Sequence, residues 1–208
     1  MKVSKTMLLA GSVLLAAMTA CANPADNVPA AAVNEPAETP VAAEGQRFRI
    51  AEGSTVGFIG SKVTGSHEGG FHGFSGEINL VGSDPTRSSV RLDIDTTTLW
   101  ADNERLAGHL KSPDFFDVEA HPTATFTSTE IVAAEEGYTV TGNLDLHGIT
   151  KSITFPAVIT VEDGLVTVTA EFSIMRFDFG IEFSGMADDL IRDEVVIQFD
   201  LKATPVDA

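Results

Sequence analysis

The sequence predicts an all-β fold, an eight-stranded antiparallel barrel with one short helix near its mouth. Three observations predict this fold: apolar and polar residues alternate along most of the domain, short turn motifs separate the alternating stretches, and a single stretch has helical spacing. Strands joined in order by short turns close naturally into a barrel, because closure leaves no exposed sheet edge.

Residues 1–20 have the pattern of a lipoprotein signal peptide. Lys2 and Lys5 precede an apolar run over 7–17 that is too short to span a bilayer as a helix. Small residues then precede Cys21, as in the lipobox of bacterial lipoproteins, and Cys21 is the single cysteine of the chain. We predict cleavage before Cys21 and lipidation of that residue; the alternative is cleavage near residue 20 without acylation.

Residues 21–46 are predicted to form the acylated cysteine and a disordered linker rich in alanine, proline and glutamate. Residues 22–46 contain no basic and no aromatic side chain, so this stretch has too little apolar surface to fold. A flexible coil of this length spans roughly 25–30 Å, which would let a domain stand off a membrane surface.

The remaining residues, 47–208, predict one domain that is large enough for a substantial core. The chain carries 13 Lys and Arg residues against 30 Asp and Glu residues, a formal net charge of −17. This acidity argues against a nucleic-acid partner and against adhesion of the folded surface to anionic lipid.

Five stretches of the domain alternate regularly, and each therefore has one apolar and one polar face. They are 74–80, 90–95, 140–146, 166–174 and 195–202, and three less regular strands are predicted at 55–63, 123–131 and 153–161. An eight-stranded barrel has an interior that side chains fill or that holds one ligand. A membrane-spanning barrel has the same period, but it needs aromatic girdles, and this chain has one tryptophan and one tyrosine.

The stretch 102–126 departs from the alternation and predicts the short helix. Leu106 and Leu110 are four residues apart and share a helical face, and Asp102 is a candidate N-cap. Two phenylalanines follow the helix directly. We interpret the stretch as a plug or lid over an apolar interior; the alternative is a connection whose phenylalanines fill the core.

The sequence contains no motif for catalysis or for metal coordination. Its five histidines have no metal-ligand spacing, and neither a nucleophile elbow nor a phosphate loop is present. Arg176 and Asp178 lie two apart in an apolar stretch, so a strand would point both to the same face. Such a pair would either hydrogen-bond the polar head of a ligand or shape the barrel floor.

Five motifs in order resemble the YceI-like domain family, whose barrel is lipocalin-like. They are GFSGEI at 73–78, RLAGHLKSPDFFDV at 105–118, HPTATFTS at 121–128, GNLDLHGITK at 142–151 and RFDFGI at 176–181. Their order and spacing agree with the family from about residue 47 onward. Residues 65–72 depart from the family pattern, and His121 stands where a tyrosine is common.

The resemblance implies an exported barrel whose long apolar cavity holds a polyisoprenoid chain, such as an isoprenoid quinone, and it implies no established catalysis. The inward faces of the strands would line the cavity, and the helix with its phenylalanines would line or close the mouth. The expected ligand-binding residues are Phe74, Ile78, Leu92, Ile94, Leu106, Leu110, Phe115, Phe116, Leu144, Leu146, Val168, Phe172, Ile174, Arg176 and Asp178.

We therefore expect non-catalytic binding, storage or transport of a polyisoprenoid lipid, with no cofactor apart from that ligand. The alternatives are an enzyme acting on an isoprenoid in the same cavity and a filled barrel that serves as an envelope scaffold. The expected location is the cell envelope, with membrane contact through the lipid anchor alone. Ala22 favours the periplasmic face of the outer membrane, since an aspartate there resembles an inner-membrane retention signal. A homodimer is compatible with the sequence.

Overall fold

The computed structural model describes residues 23–41, 43–187 and 189–206. The predicted signal peptide, 1–20, and the predicted lipidation site, Cys21, lie outside the described residues. The strands are β1 (Ala32–Asn34), β2 (Gln46–Ile50), β3 (Thr55–Lys62), β4 (Gly65–Phe71), β5 (Phe74–Val81), β6 (Asp84–Asp95), β7 (Leu99–Ala101), β8 (Thr123–Ala133), β9 (Tyr138–Leu146), β10 (Ile149–Glu162), β11 (Leu165–Met175), β12 (Gly185–Met186) and β13 (Asp189–Pro205). One α-helix, α1 (Glu104–Leu110), and three 3₁₀ turns, Pro24–Asn27, Thr96–Thr98 and Arg176–Phe179, complete the elements.

Eight antiparallel wall strands close the barrel, which confirms the predicted fold class. Three of these walls consist of two strands joined at a bend: β2 with β3, β4 with β5, and β6 with β7. The next walls are β8, β9, β10 and β11, each paired with its neighbour. Finally, β13 pairs with β11 on one side and with both β2 and β3 on the other, so the ring is closed.

The two halves of the barrel differ in how tightly their walls pair. In the half bounded by β2 and β5, side chains fill the interior: Phe48, Ile78, Leu80, Leu92 and Val166 are all less than 5% exposed. In the other half two gaps open. The first gap lies between β10 and β11, which pair from Val158 to Glu162 and are separated along the rest of β10. The second gap lies between β7 and β8, which are connected by α1 and its following loop. We call these the filled half and the splayed half.

Residues 23–37 pack against the barrel, so the prediction of a disordered linker is wrong for this part. β1 lies in the gap between β10 and β11: Val33 pairs with Ile153, and the backbone of Pro29 and Ala31 exchanges hydrogen bonds of 2.9 and 2.8 Å with Ser173. Two separated strands leave backbone donors and acceptors that need partners, and this segment supplies them. Composition cannot reveal those edges, since they arise from tertiary structure.

The packing of β1 can be tested with one half-buried valine, in β1, and one exposed valine that follows it in the chain. Val33 is half-buried against the core, whereas Val41 is 99% exposed. We expect Val33→Asp to lower the free energy of unfolding by about 1–3 kcal/mol, because it presses a carboxylate against Ile153. Val41→Asp should change it by less than about 0.5 kcal/mol. Equal urea-unfolding midpoints for the two variants would show that β1 is not part of the barrel wall.

The short helix forms where the sequence predicts it, but its N-cap is Asn103 rather than Asp102. The Asn103 side chain accepts a hydrogen bond from the Leu106 N–H at 3.1 Å. Asp102 contacts β4 instead, where its carboxylate lies 2.9 Å from Nδ1 of His67 and accepts from the Glu68 N–H at 3.3 Å. The N-cap prediction was wrong because β4 has no alternating pattern, and the partner of Asp102 was therefore not foreseen.

Candidate functional site

A cavity of about 280 Å³ occupies the splayed half of the barrel, beneath α1. This volume lies near the lower end of the roughly 300–1,000 Å³ range of ligand pockets. Its apolar walls come from strands and from the α1 region: Val56, Phe58, Phe71, Ile94, Leu106, Leu110, Phe115, Phe116, Ala124, Phe126, Leu144, Leu146, Ile153, Phe172, Ile174, Ile181, Ile191, Val195, Ile197 and Phe199. The site is therefore suited to an apolar ligand.

Three phenylalanines from separate elements meet at the cavity under α1. The ring centroids of Phe58, Phe71 and Phe116 lie 5.7–5.9 Å apart, a spacing typical of favourable aromatic pairs. Gly69 of β4 makes room for this cluster, because a Cβ there would lie 2.4 Å from Cζ of Phe58. The glycines of β4 thus have a packing role that their sequence does not show.

A second aromatic cluster separates the cavity from the packed core. The rings of Phe155 and Phe172 stack with centroids 4.1 Å apart, and Phe126 and Phe199 pack against them. Phe126, Phe172 and Phe199 border the cavity, whereas Phe155 lies behind them in the core. This stack closes off one side of the cavity with large, rigid side chains.

One end of the cavity is basic and is organised around Arg176, which is 4% exposed. Its Nε donates to the carbonyl of Arg192 at 3.0 Å, and its Nη1 donates to the carbonyl of Ile181 at 2.5 Å. Burial lowers the pKa of Arg176, and the nearby negative charge of Asp193 partly offsets this effect. Backbone carbonyls therefore hold the guanidinium in place beside the cavity.

The structure does not contain the predicted pairing of Arg176 with Asp178. Residues Arg176–Phe179 form a 3₁₀ turn rather than a strand, so side chains two apart do not share a face. Arg176 borders the cavity, whereas Asp178 is exposed and lies outside the lining. The prediction that Asp178 faces the cavity is therefore wrong.

Ten of the fifteen predicted ligand-binding residues border the cavity. They are Ile94, Leu106, Leu110, Phe115, Phe116, Leu144, Leu146, Phe172, Ile174 and Arg176. Apart from Asp178, the remaining four lie outside the lining: Ile78, Leu92 and Val168 are buried in the core, and Phe74 is half-buried against it. Alternation correctly indicated their inward direction but not their height along the barrel axis.

Several lining residues were missed, although some of them had a signal in the sequence. Val195, Ile197 and Phe199 alternate along β13, and Val56 and Phe58 alternate along β3, so both sets could have been included. His67, Glu68 and Phe71 lie on β4, whose glycine-rich sequence shows no alternation. Arg192 borders the cavity from an irregular part of β13, where the pairing register with β3 shifts.

Residues 23–41, 43–187 and 189–206 contain neither a metal-binding cluster nor a membrane-spanning helix. Within these ranges, no group of three or more His, Cys, Asp or Glu side chains is arranged to hold a metal ion. The same residues include no helix that is both long and apolar enough to cross a membrane.

Sequence comparison finds related proteins. A family model described as YceI-like domain matches residues 50–203. A UPF0312 protein of Yersinia enterocolitica is 38% identical over 92 residues, which cover 44% of this chain and 48% of that protein. A UPF0312 protein of Pseudomonas putida is 37% identical over 137 residues, covering 62% of this chain and 71% of that protein. The aligned part thus spans about half the length of the Yersinia relative.

Solved structures share the barrel. BcnA of Burkholderia cenocepacia superposes with a TM-score of 0.64 at 26% identity, covering 73% of this chain and 96% of BcnA. A polyisoprenoid binding domain from Saccharophagus degradans, implicated in plant cell wall breakdown, gives a TM-score of 0.63 at 20% identity, covering 77% and 99% of the two chains. At that identity the second likeness establishes the fold alone.

Proposed function

The chain belongs to the YceI-like domain family, and from this premise we propose that its barrel binds a polyisoprenoid lipid in the cell envelope without changing it chemically. The observation that carries the proposal is the apolar cavity of the splayed half, which is roofed by α1 and its phenylalanines. The polyisoprenoid binding domain from Saccharophagus degradans has the same fold and supports this class of ligand.

The physical driving force for such binding is the removal of apolar surface from water. Each Å² of apolar surface that the ligand buries contributes about 25 cal/mol, so several isoprene units supply ample free energy. Away from the basic end at Arg176, the cavity walls are mainly aromatic and aliphatic side chains, which offer few partners for a polar chain. A chain too long for the cavity would continue through its opening.

The structure favours binding over the two alternatives. An enzyme built on an Arg176–Asp178 pair is unsupported, because Asp178 is exposed and the pair does not form. A scaffold with a filled barrel is also disfavoured, because one half of this barrel is hollow. We therefore propose that the protein carries or stores its lipid.

The ligand class can be identified by extracting the exported protein, purified from a bacterial host, with organic solvent and analysing the extract by mass spectrometry. We expect a prenyl lipid in stoichiometric amount. Protein that contains no lipid, and that takes up neither prenyl quinones nor polyprenyl alcohols on incubation, would contradict the proposal.

We further propose that Cys21 anchors the protein to the periplasmic face of the outer membrane. A single residue separates Cys21 from Asn23, and Asn23 is buried on the barrel, where its side chain accepts a hydrogen bond from Ser61 at 3.3 Å. Ser61 itself borders the cavity. An acyl group on Cys21 would thus enter the membrane close to the splayed half, where a lipid would enter or leave.

Lipidation is tested by growing cells with an alkyne-modified palmitate. We expect the wild-type chain to carry the label and Cys21→Ala to lack it, because the thioether that holds the lipid cannot form on alanine. Ala22→Ser leaves the cysteine intact and should keep the label. Equal labelling of the wild type and Cys21→Ala would place any acylation elsewhere.

A further inference from the structure

Four large apolar side chains are exposed at the cavity end of the barrel, and we call them the apolar rim: Val63, Phe177, Met186 and Leu190. Their exposed fractions range from 46% to 73%. Val63 follows β3, Phe177 belongs to a 3₁₀ turn, and the other two lie on the hairpin formed by β12 and β13. Three of the four are also next in the chain to a residue that borders the cavity. The rim therefore lies at the edge of the cavity.

Backbone contacts join the rim residues into one surface. The Val63 N–H donates to the carbonyl of Leu190 at 3.1 Å, and β12, which contains Met186, pairs with the same part of β13. The Phe177 N–H donates to the carboxylate of Asp193, further along β13, at 2.9 Å. Exposed apolar side chains that are grouped in this way, unlike scattered ones, mark a site of contact with a membrane or with another protein.

The turns at the opposite end of the barrel are polar. They are 51–54 (AEGS), 82–83 (GS), 134–137 (AEEG) and 163–164 (DG), and they consist of Gly, Ala, Ser, Asp and Glu. Small and polar residues are usual in turns that face water. The exposed Val158 lies within a strand and not in a turn. Large apolar side chains in turns are thus a feature of the cavity end.

The N-terminal segment brings the proposed lipid anchor to the same end. Asn23 is buried, and its side chain accepts a hydrogen bond from Ser61, which lies two residues before Val63. Cys21 precedes Asn23 by two residues, and two residues span at most roughly 7 Å. An acyl chain on Cys21 would therefore enter a bilayer close to the apolar rim.

We propose that the apolar rim inserts into the surface of the membrane that holds Cys21, so that the cavity end of the barrel faces the lipid. This rests on the proposed anchor and adds a second, non-covalent membrane contact to it. Four side chains alone bind a bilayer weakly, because the affinity scales with the apolar area that is buried. The anchor makes this contact intramolecular, with an effective concentration on the order of millimolar, so that weak affinity suffices.

The charges around the rim select a zwitterionic or neutral lipid surface. Lys62, next to Val63, forms an ion pair with Asp189 and so offers no free positive charge to anionic head groups. Asp178, Glu182 and Asp188 flank rim residues in the sequence, and the whole chain has a formal net charge of −17. Anionic lipid would repel such a surface, so the contact depends on apolar area rather than on charge.

The test uses the mature chain, residues 21–208, coupled through its single cysteine to a maleimide lipid in phosphatidylcholine vesicles. This coupling replaces acylation, so the result depends neither on modification of Cys21 in cells nor on prenyl lipid binding in the cavity. A tryptophan is introduced at Met186, or at Val158 on the outer wall as the control, and brominated acyl chains serve as the quencher. We expect Met186→Trp to add about threefold more quenching to that of Trp100 than Val158→Trp adds, because the rim reaches the acyl chains.

A second substitution tests whether the contact is apolar. Val63→Asp, added to Met186→Trp, should lower the quenching to the level of Val158→Trp, because a carboxylate opposes insertion. Val132→Asp, an equally conservative change at an exposed position away from the rim, should leave it unchanged. Equal quenching of Met186→Trp and Val158→Trp would overturn membrane docking and leave the rim to a protein partner. Stronger quenching on phosphatidylglycerol than on phosphatidylcholine vesicles would overturn the apolar basis of the contact.

Discussion

The Phe116→Asp variant is expected to bind prenyl lipids at least a hundredfold more weakly than the wild type. Phe116 is half-buried, borders the cavity and packs against Phe58 and Phe71. A carboxylate at this position would face apolar side chains and an apolar ligand, and the cost of desolvating it amounts to several kcal/mol. A fluorescent prenyl probe, titrated into both proteins, measures the difference.

The same change on the outer wall serves as the matched control. Val158 lies on β10 and is 57% exposed, so Val158→Asp introduces the same charge away from the cavity. Its affinity for the probe should stay within about twofold of the wild type. If Phe116→Asp folds and binds as well as Val158→Asp does, the roof beneath α1 takes no part in lipid binding.

The Phe48→Ala variant is expected to lose about 3–5 kcal/mol of unfolding free energy while its folded fraction keeps its lipid affinity. Phe48 is 2% exposed in the filled half and lies outside the cavity lining. Truncating a fully buried phenylalanine removes apolar contacts and leaves a hole that the neighbouring side chains close only in part. Urea unfolding followed by circular dichroism measures the loss.

An exposed phenylalanine provides the comparison. Phe177 is 46% exposed, so Phe177→Ala should cost less than about 1 kcal/mol. If truncating Phe48 cost no more than truncating Phe177, the filled half would not be the main source of stability. A loss of lipid affinity in folded Phe48→Ala would instead mean that the two halves are coupled.

The fold could be predicted because most wall strands have their own local signal. The period-two pattern of a stretch such as 166–174 arises from the inward and outward faces of a single strand, so it can be recognised without knowing the neighbouring strands. Turns also have a local signal: Asp163 and Gly164 adopt positive φ angles, which these residue types accept. β4 escaped prediction, because its glycines are required by the close approach of Phe58 and Trp100 rather than by the strand itself.

The candidate site was predicted only in part, because alternation determines the face of a residue and not its height. Leu92 and Ile94 both point inward from β6, yet Ile94 borders the cavity and Leu92 belongs to the packed core. The separation of β10 from β11, which places β1 in the wall, depends on contacts between distant segments. Arg192 likewise reaches the cavity from a break in strand register that a single sequence does not reveal.

Isoleucine methyl spectra of the protein, recorded before and after addition of geranylgeraniol, test the central claim most directly. Isoleucines occur on the cavity wall at Ile94, Ile153 and Ile174, and in the core outside the lining at Ile78 and Ile131. A lipid in the splayed half should shift the first three signals strongly and leave the last two nearly unchanged. Saturating lipid that shifts none of the cavity methyls would contradict a binding site inside the barrel.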